Sequence, residues 1–314
     1  MNLSAALTGT LVIDGGMGTE LERRGCDVTD HLWSARVLLN HPEKIGEVHR
    51  DYLAAGAECI ITASYQVSFD GFRKAGLSDD ETERALRQSV AVADAARTDF
   101  ERAHHRRALV AASVGPLGAA LADGSEFHGN YACSYDEMVK FHARRMAVLA
   151  DTAADLLACE TIPSQSEAKT ILECLSSLPA TKAWFSFQCR DERHVAHGEL
   201  LRDCASMLDA SPQVVAIGVN CTAPQYVGSL IGEIRSATKK PIVVYPNAGR
   251  RWDAKARTWM GSASDFDLGN MAEEWKALGS QWIGGCCGTT PEDIRGVARA
   301  IGPENRRWLA IEGQ

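Results

Sequence analysis

Short apolar runs alternate with longer stretches whose apolar residues recur at helical spacing along this 314-residue chain. Leu11-Val12-Ile13 is the first run and ends at Asp14-Gly15-Gly16, with a helix predicted from about Thr19. A second helix starts at Pro42, where Ile45, Val48, Tyr52 and Leu53 fall on one face. Cys59-Ile60-Ile61 is the next strand. The same reading predicts helices over 81–103, 136–154, the segment after Pro163, 201–208, 225–237 and 268–278, and a last one from Pro291. Between them it predicts strands over 109–112, 156–160, 184–187, 214–221, 242–247 and 282–285.

Eight strands alternate with helices, and no break in composition marks a linker. This pattern predicts a single domain over residues 1–314, an α/β fold closed as a (β/α)8 TIM barrel, with a doubly wound sheet as the alternative. Segment lengths favour the barrel. The stretches after the third, fifth and seventh strands (117–135, 190–199 and 248–266) are long, and in a barrel they share the face that carries active sites.

Composition narrows the function. Forty-five per cent hydrophobic and 24% charged residues are ordinary for a globular chain with a sizeable core. The formal charge of −8, with no basic run longer than a pair such as Arg23-Arg24, argues against nucleic acid as a partner. No segment reaches the roughly 20 apolar residues needed to cross a bilayer, so no membrane partner is expected. The first residues lack a basic, then apolar, export signal. With that, the ten cysteines read as free thiols in a reducing cytoplasm.

Three of those cysteines lie at strand ends. Cys221 closes the sixth strand, and Cys286-Cys287 follow the eighth inside Gly284-Gly285-Cys286-Cys287-Gly288. Even-numbered barrel strands contribute to the same interior layers, so these thiols converge with Glu160, at the end of the fourth strand. Asp14 and Asn247, from the first and seventh strands, flank them. Three thiolates are a soft donor set suited to Zn²⁺, and three protein ligands leave the fourth tetrahedral position open. Adjacent strand residues point to opposite faces, so both members of the pair can ligate only where the glycines break the pleat. The alternative reading makes Cys221 a small buried hydrophobe and the pair mere packing or a redox couple.

Asp14-Gly15-Gly16-Met17-Gly18 lacks the spacing of a dinucleotide turn; its glycines would instead bring backbone N–H groups near a small ligand's carboxylate. Glu160 needs a cation if it is buried: a ligand ammonium, or an internal arginine.

With these residues assembled, the chain resembles the homocysteine S-methyltransferase family, especially its S-methylmethionine-dependent members. The ordered set that carries the resemblance begins with Asp14-Gly15-Gly16, Leu32-Trp33-Ser34-Ala35 and Ile61-Thr62-Ala63-Ser64-Tyr65-Gln66. It continues with Ser113-Val114-Gly115-Pro116, Asp123-Gly124-Ser125-Glu126 and Ala158-Cys159-Glu160-Thr161. Gly218-Val219-Asn220-Cys221, Val244-Tyr245-Pro246-Asn247 and Gly284-Gly285-Cys286-Cys287-Gly288 complete it. The resemblance implies zinc on Cys221, Cys286 and Cys287 with the homocysteine sulfur as fourth ligand. It further implies that Asp14, Gly16 and Glu160 receive the amino-acid portion. Trp33 and Tyr65 match positions lining the methyl-donor side in related betaine-dependent enzymes. The expected substrates are homocysteine and a sulfonium, S-methylmethionine or S-adenosylmethionine. Betaine is disfavoured because the longer C-terminal extension of that group is missing. A zinc hydrolase and a non-enzymatic thiol redox or zinc-storage protein are the competing classes.

Overall fold

The computed structural model describes residues 9–28, 34–121, 123–249, 251–253, 258–260 and 266–302. Eight parallel strands form one sheet: β1 (Leu11–Val12), β2 (Cys59–Ile61), β3 (Leu109–Val114), β4 (Leu156–Ile162), β5 (Ala183–Phe187), β6 (Val214–Asn220), β7 (Ile242–Tyr245) and β8 (Trp282–Ile283). Their spatial order is β1-β8-β7-β6-β5-β4-β3-β2. A bridge between Ile13 and Cys59 closes the ends, with Asp14 N–H donating to Cys59 O at 3.0 Å and Glu58 N–H to Val12 O at 2.7 Å. The result is the expected (β/α)8 barrel.

Side-chain alternation builds the interior. Leu11 and Ile13, Leu109 and Ala111, Leu156 and Ala158, Trp184, Ala216, Val243, Tyr245 and Trp282 pack inside the strands, together with Cys59. Trp184 and Trp282 meet edge to face at 5.9 Å and fill space left by the small residues. The alternate positions face the helices in a second, larger core. Continuing the interior parity toward the strand ends turns Ser113, Glu160, Ser186 and Asn220 inward at the C-terminal mouth.

Helices start on local signals. Ser78 with Glu81, Ser134 with Glu137 and Thr290 with Asp293 form reciprocal capping boxes. Pro42, Pro224 and Pro291 occupy first helical turns. The structure adds helices at Ser34–Asn40 and Phe69–Lys74, too short to show a period. It also ends the helix predicted to reach about residue 154 at Ala150.

Strand ends differ from expectation where function gathers. β6 stops at Asn220 because Cys221 takes φ 48°, and β7 stops at Tyr245 because Pro246 cannot donate to a ladder. β8 is two residues long, and Gly284 and Gly285 leave it to donate to Val244 O and Asp14 O, each at 3.0 Å. Conversely, β4 runs on to Ile162 through a register shift between Cys159 and Ile162, with Thr161 at φ 58°.

Two imidazoles are sealed in the helical layer. His49 has no partner on either ring nitrogen among the described residues, and burial pushes it down to about 3. His142 accepts from Arg145 and contacts Glu167 Oε1 at 2.9 Å; burial pushes it down to about 4. Both folded values lie below the unfolded value of about 6.5, so the unfolded chain takes up protons that the folded one refuses. The histidine contribution to stability therefore falls as pH drops below about 6.5, by up to about 1.4 kcal/mol per pH unit for each. Urea unfolding of the wild type and His49→Leu should show their stability difference shifting by that slope between pH 6.5 and 4.5. A difference independent of pH would contradict this.

Candidate active site and metal centre

The three thiols meet at the mouth. Cys221 Sγ lies 2.8 Å from Cys286 Sγ and 3.8 Å from Cys287 Sγ, and the vicinal pair is 3.9 Å apart. Zinc–sulfur distances of about 2.3 Å imply tetrahedral edges of about 3.8 Å. Two edges match and the third is about 1 Å shorter than that. Among the described residues this is the one such grouping of potential ligands. Contacts with the Cys221 and Cys287 sulfurs hold Cys286 well below the usual thiol range, and the contact with Cys286 holds Cys221 well above it.

The turn that presents the pair is held from several sides. Cys286 N–H donates to Pro246 O at 2.8 Å, and Ala248 N–H donates to Cys287 O at 2.9 Å. Gly288 takes φ 82° and donates to Thr19 Oγ1 at 3.0 Å. A Cβ on Gly16 would lie 2.6 Å from Cys286 O, so the first loop can press onto this turn only without a side chain there. The Gly16 N–H expected to face a ligand carboxylate is engaged by Thr289 Oγ1 at 3.1 Å. Gly16 thus shapes the site through close approach.

Beside the thiols the mouth is rich in acceptors. Glu160 is buried and takes a hydrogen bond from Ser113 Oγ. Burial raises its carboxyl to about 8; the Ser113 bond opposes this, and the Cys286 thiolate adds to it. No lysine or arginine among the described residues pairs with it. Asp14 is 2% exposed, and Ile61 N–H donates to its Oδ2 at 2.9 Å while Oδ1 has no partner among the described residues. Burial lifts Asp14 well above the usual carboxylate range, and Glu160 and Cys286 push the same way. Asn247 is buried with Oδ1 also unpartnered. A mouth with two crowded carboxyls and unpaired acceptors suits a ligand bearing N–H donors and positive charge.

Tyr65 stands half-buried at the same mouth with its ring against Gly115, its hydroxyl toward Thr161, and Glu126 and Cys221 nearby. Trp33 lies outside the described residues. The structure therefore brings together Asp14, Gly16, Tyr65, Glu160, Cys221, Asn247, Cys286 and Cys287. Several supports escaped the sequence reading. Asn220 accepts from Thr161 N–H at 2.7 Å and donates to Thr161 Oγ1 at 2.8 Å, tying β4 to β6. Tyr245 bonds Trp184 Nε1 and Ser186 Oγ beneath Glu160. The Tyr52 hydroxyl lies 3.1 Å from Thr289 O and 3.2 Å from Gly16 O. Strand parity alone would have found Ser113 and Asn220, which lie two residues beyond Ala111 and four beyond Ala216.

The remaining cysteines fill other roles. Cys59 packs in the barrel interior, while Cys159, Cys174, Cys189 and Cys204 pack in the outer core. None of the described helices is long and apolar enough to cross a membrane.

Comparison with known proteins agrees with this geometry. The homocysteine S-methyltransferase family pattern matches residues 11–301. Homocysteine S-methyltransferase YbgG of Bacillus subtilis is 49% identical over 293 residues, spanning 92% of this chain and 93% of its own. The homocysteine S-methyltransferase of Escherichia coli is 46% identical over 287 residues, spanning 90% and 93%. The metallated crystal form of the homocysteine methyltransferase MmuM from Escherichia coli superposes with a TM-score of 0.86 at 43% identity, over 95% of this chain and 99% of that one. With its barrel, its converging thiols and these relatives, the chain belongs to the homocysteine S-methyltransferase family.

Proposed function

We propose that the protein transfers a methyl group from a sulfonium, S-methylmethionine in the first place, to the thiol of L-homocysteine, and that Cys221, Cys286 and Cys287 hold a Zn²⁺ ion for this reaction. The observation that carries the metal assignment is the convergence of three sulfurs from two strand ends, beside a carboxyl, Glu160, that no lysine or arginine among the described residues pairs with. Three thiolates make a poor Lewis acid for activating water, which counts against hydrolysis. A zinc store would have no need of Asp14 and Glu160.

Zinc bound there supplies the deprotonation of the homocysteine thiol at neutral pH. The chain's own residues do the rest. Asp14 and Glu160 receive the homocysteine ammonium, which also answers the charge that burial makes expensive. Asn247 offers a further buried acceptor, and Gly16 keeps the first loop close enough to complete the pocket. The aromatic face of Tyr65, with Trp33 contributed by the family resemblance, accommodates the sulfonium. The leaving thioether is neutral, so no general acid is required, and alignment is the main demand on the protein.

The reading is tested by methionine formation from homocysteine with S-methylmethionine, S-adenosylmethionine or betaine supplied separately, on zinc-loaded and chelated protein. Turnover with a sulfonium, lost on chelation and restored by zinc, is expected; turnover that survives full removal of metal would overturn the zinc assignment. Glu160→Ala should raise the homocysteine KM about 10- to 100-fold, the scale of one charge-assisted hydrogen bond, with a smaller change in kcat. An unchanged KM would remove Glu160 from this role.

A further inference from the structure

One cluster of buried acceptors is left over once Asp14, Glu160 and Asn247 are assigned to homocysteine. Glu126 Oε2 is shielded from solvent and has no hydrogen-bond partner among the described residues, and next to it in the chain is the buried Ser125, whose side chain reaches Asp123. Gln66 Oε1, next in the chain to Tyr65, is buried and unpartnered as well. No lysine or arginine among the described residues pairs with Glu126, whose carboxyl is raised to about 7 by burial. Tyr65, whose ring packs on Gly115 just before the helix that backs onto Glu126, is near enough to both Glu126 and the Cys221 thiol for each to raise its hydroxyl.

The cluster is firmly built. A Cβ on Gly118 would lie 2.3 Å from Glu126 N, so the short helix Leu117–Leu121 backs directly onto this segment. Asp123 Oδ1 accepts from Ser125 N–H at 2.9 Å. Glu167 Oε1 accepts from Leu117 N–H at 2.6 Å and contacts His142, while Arg145 donates to Gly115 O. A backbone fixed in this way keeps the segment that carries Ser125 and Glu126 in place before a ligand arrives.

We propose that Glu126 and Ser125, with Gln66 beside Tyr65, form the subsite for the α-ammonium group of the methyl donor. The inference rests on the sulfonium-donor reading above and adds a requirement to it. A sulfonium centre has no N–H, so it cannot satisfy unpaired oxygen acceptors; an ammonium brings three donors. The cluster therefore selects a sulfonium that is itself an amino acid over one that lacks the amino group, and over a quaternary ammonium such as betaine.

The test is steady-state kinetics of zinc-loaded wild type, Glu126→Gln and Ser125→Ala with S-methylmethionine and with the same sulfonium lacking its α-amino group. Wild type should prefer the amino-acid sulfonium. Glu126→Gln should raise the donor KM about 10- to 100-fold and shrink that preference, with homocysteine KM and metal content held. Ser125→Ala should do the same more weakly. Normal turnover with an undiminished preference in Glu126→Gln, or an equal rise in homocysteine KM, would overturn the subsite alone. No methionine from either sulfonium with the wild type would overturn the donor reading, and the subsite with it.

Discussion

Cys221→Ala should yield a folded protein that neither retains zinc nor turns over. The expectation of folding comes from the backbone: Cys221 sits at φ 48°, a left-handed conformation that alanine adopts at no greater strain than cysteine. Its N–H keeps the bond to Tyr245 O at 3.3 Å, and removing Sγ relieves the 2.8 Å contact with Cys286. What is lost is the one proposed ligand that the end of β6 contributes. Cys286 and Cys287 alone make a two-thiolate site on one turn, and the drop in metal affinity should exceed the roughly 100-fold that loss of a mere supporting group produces. Without the ion a homocysteine thiol stays mostly protonated at neutral pH, so methionine formation should fall below detection. Metal analysis and the methionine assay, run beside chelated wild type, decide the matter. Zinc at the wild-type level in the variant would remove Cys221 from the site.

The barrel and its chemistry differ in how far sequence exposes them. Apolar runs at regular intervals mark all eight strands, because a strand buried on both faces must be apolar throughout. Glu160 was legible for a related reason: it continues the interior parity of Leu156 and Ala158, and a carboxyl at that position calls for a partner. The glycines around Cys286 and Cys287 announced a broken pleat, and the strand indeed ends at Ile283. Cys221 gave no such notice. Its left-handed φ has no glycine to signal it, so the sequence reading extended β6 one residue too far. The bend in β4 was equally hidden, because a bond reaching 59 positions along the chain holds Thr161. The short helices Ser34–Asn40 and Phe69–Lys74 escaped because barely two turns cannot establish a period. Gly16 shows the converse limit: its place in the site was legible, yet the partner of its N–H, Thr289, lies 273 residues away.

That hidden bond between Asn220 and Thr161 leads to the other large effect. Asn220 is fully buried and serves both the N–H and the hydroxyl of Thr161, holding a β-branched residue at φ 58°, where such residues are rarely found. Thr161 follows Glu160 inside the register shift of β4, and Asn220 precedes Cys221, so one amide fixes both the carboxyl and a proposed metal ligand. Asn220→Ala leaves a buried N–H without an acceptor and a strained residue without its restraint, and should lower stability by about 3 kcal/mol. If the amide acts through backbone geometry, β4 relaxes toward regular strand and Glu160 turns away. The homocysteine KM should then rise by about tenfold or more, the scale of one charge-assisted bond. A purely structural loss would lower Tm and leave the KM of the surviving folded enzyme alone. Thr161→Gly supplies the discriminating partner, because glycine takes the left-handed conformation without a restraint. Placed on Asn220→Ala, it should recover much of the homocysteine KM while stability stays low. If the double variant shows no recovery in KM, Asn220 does not position Glu160 through the Thr161 backbone.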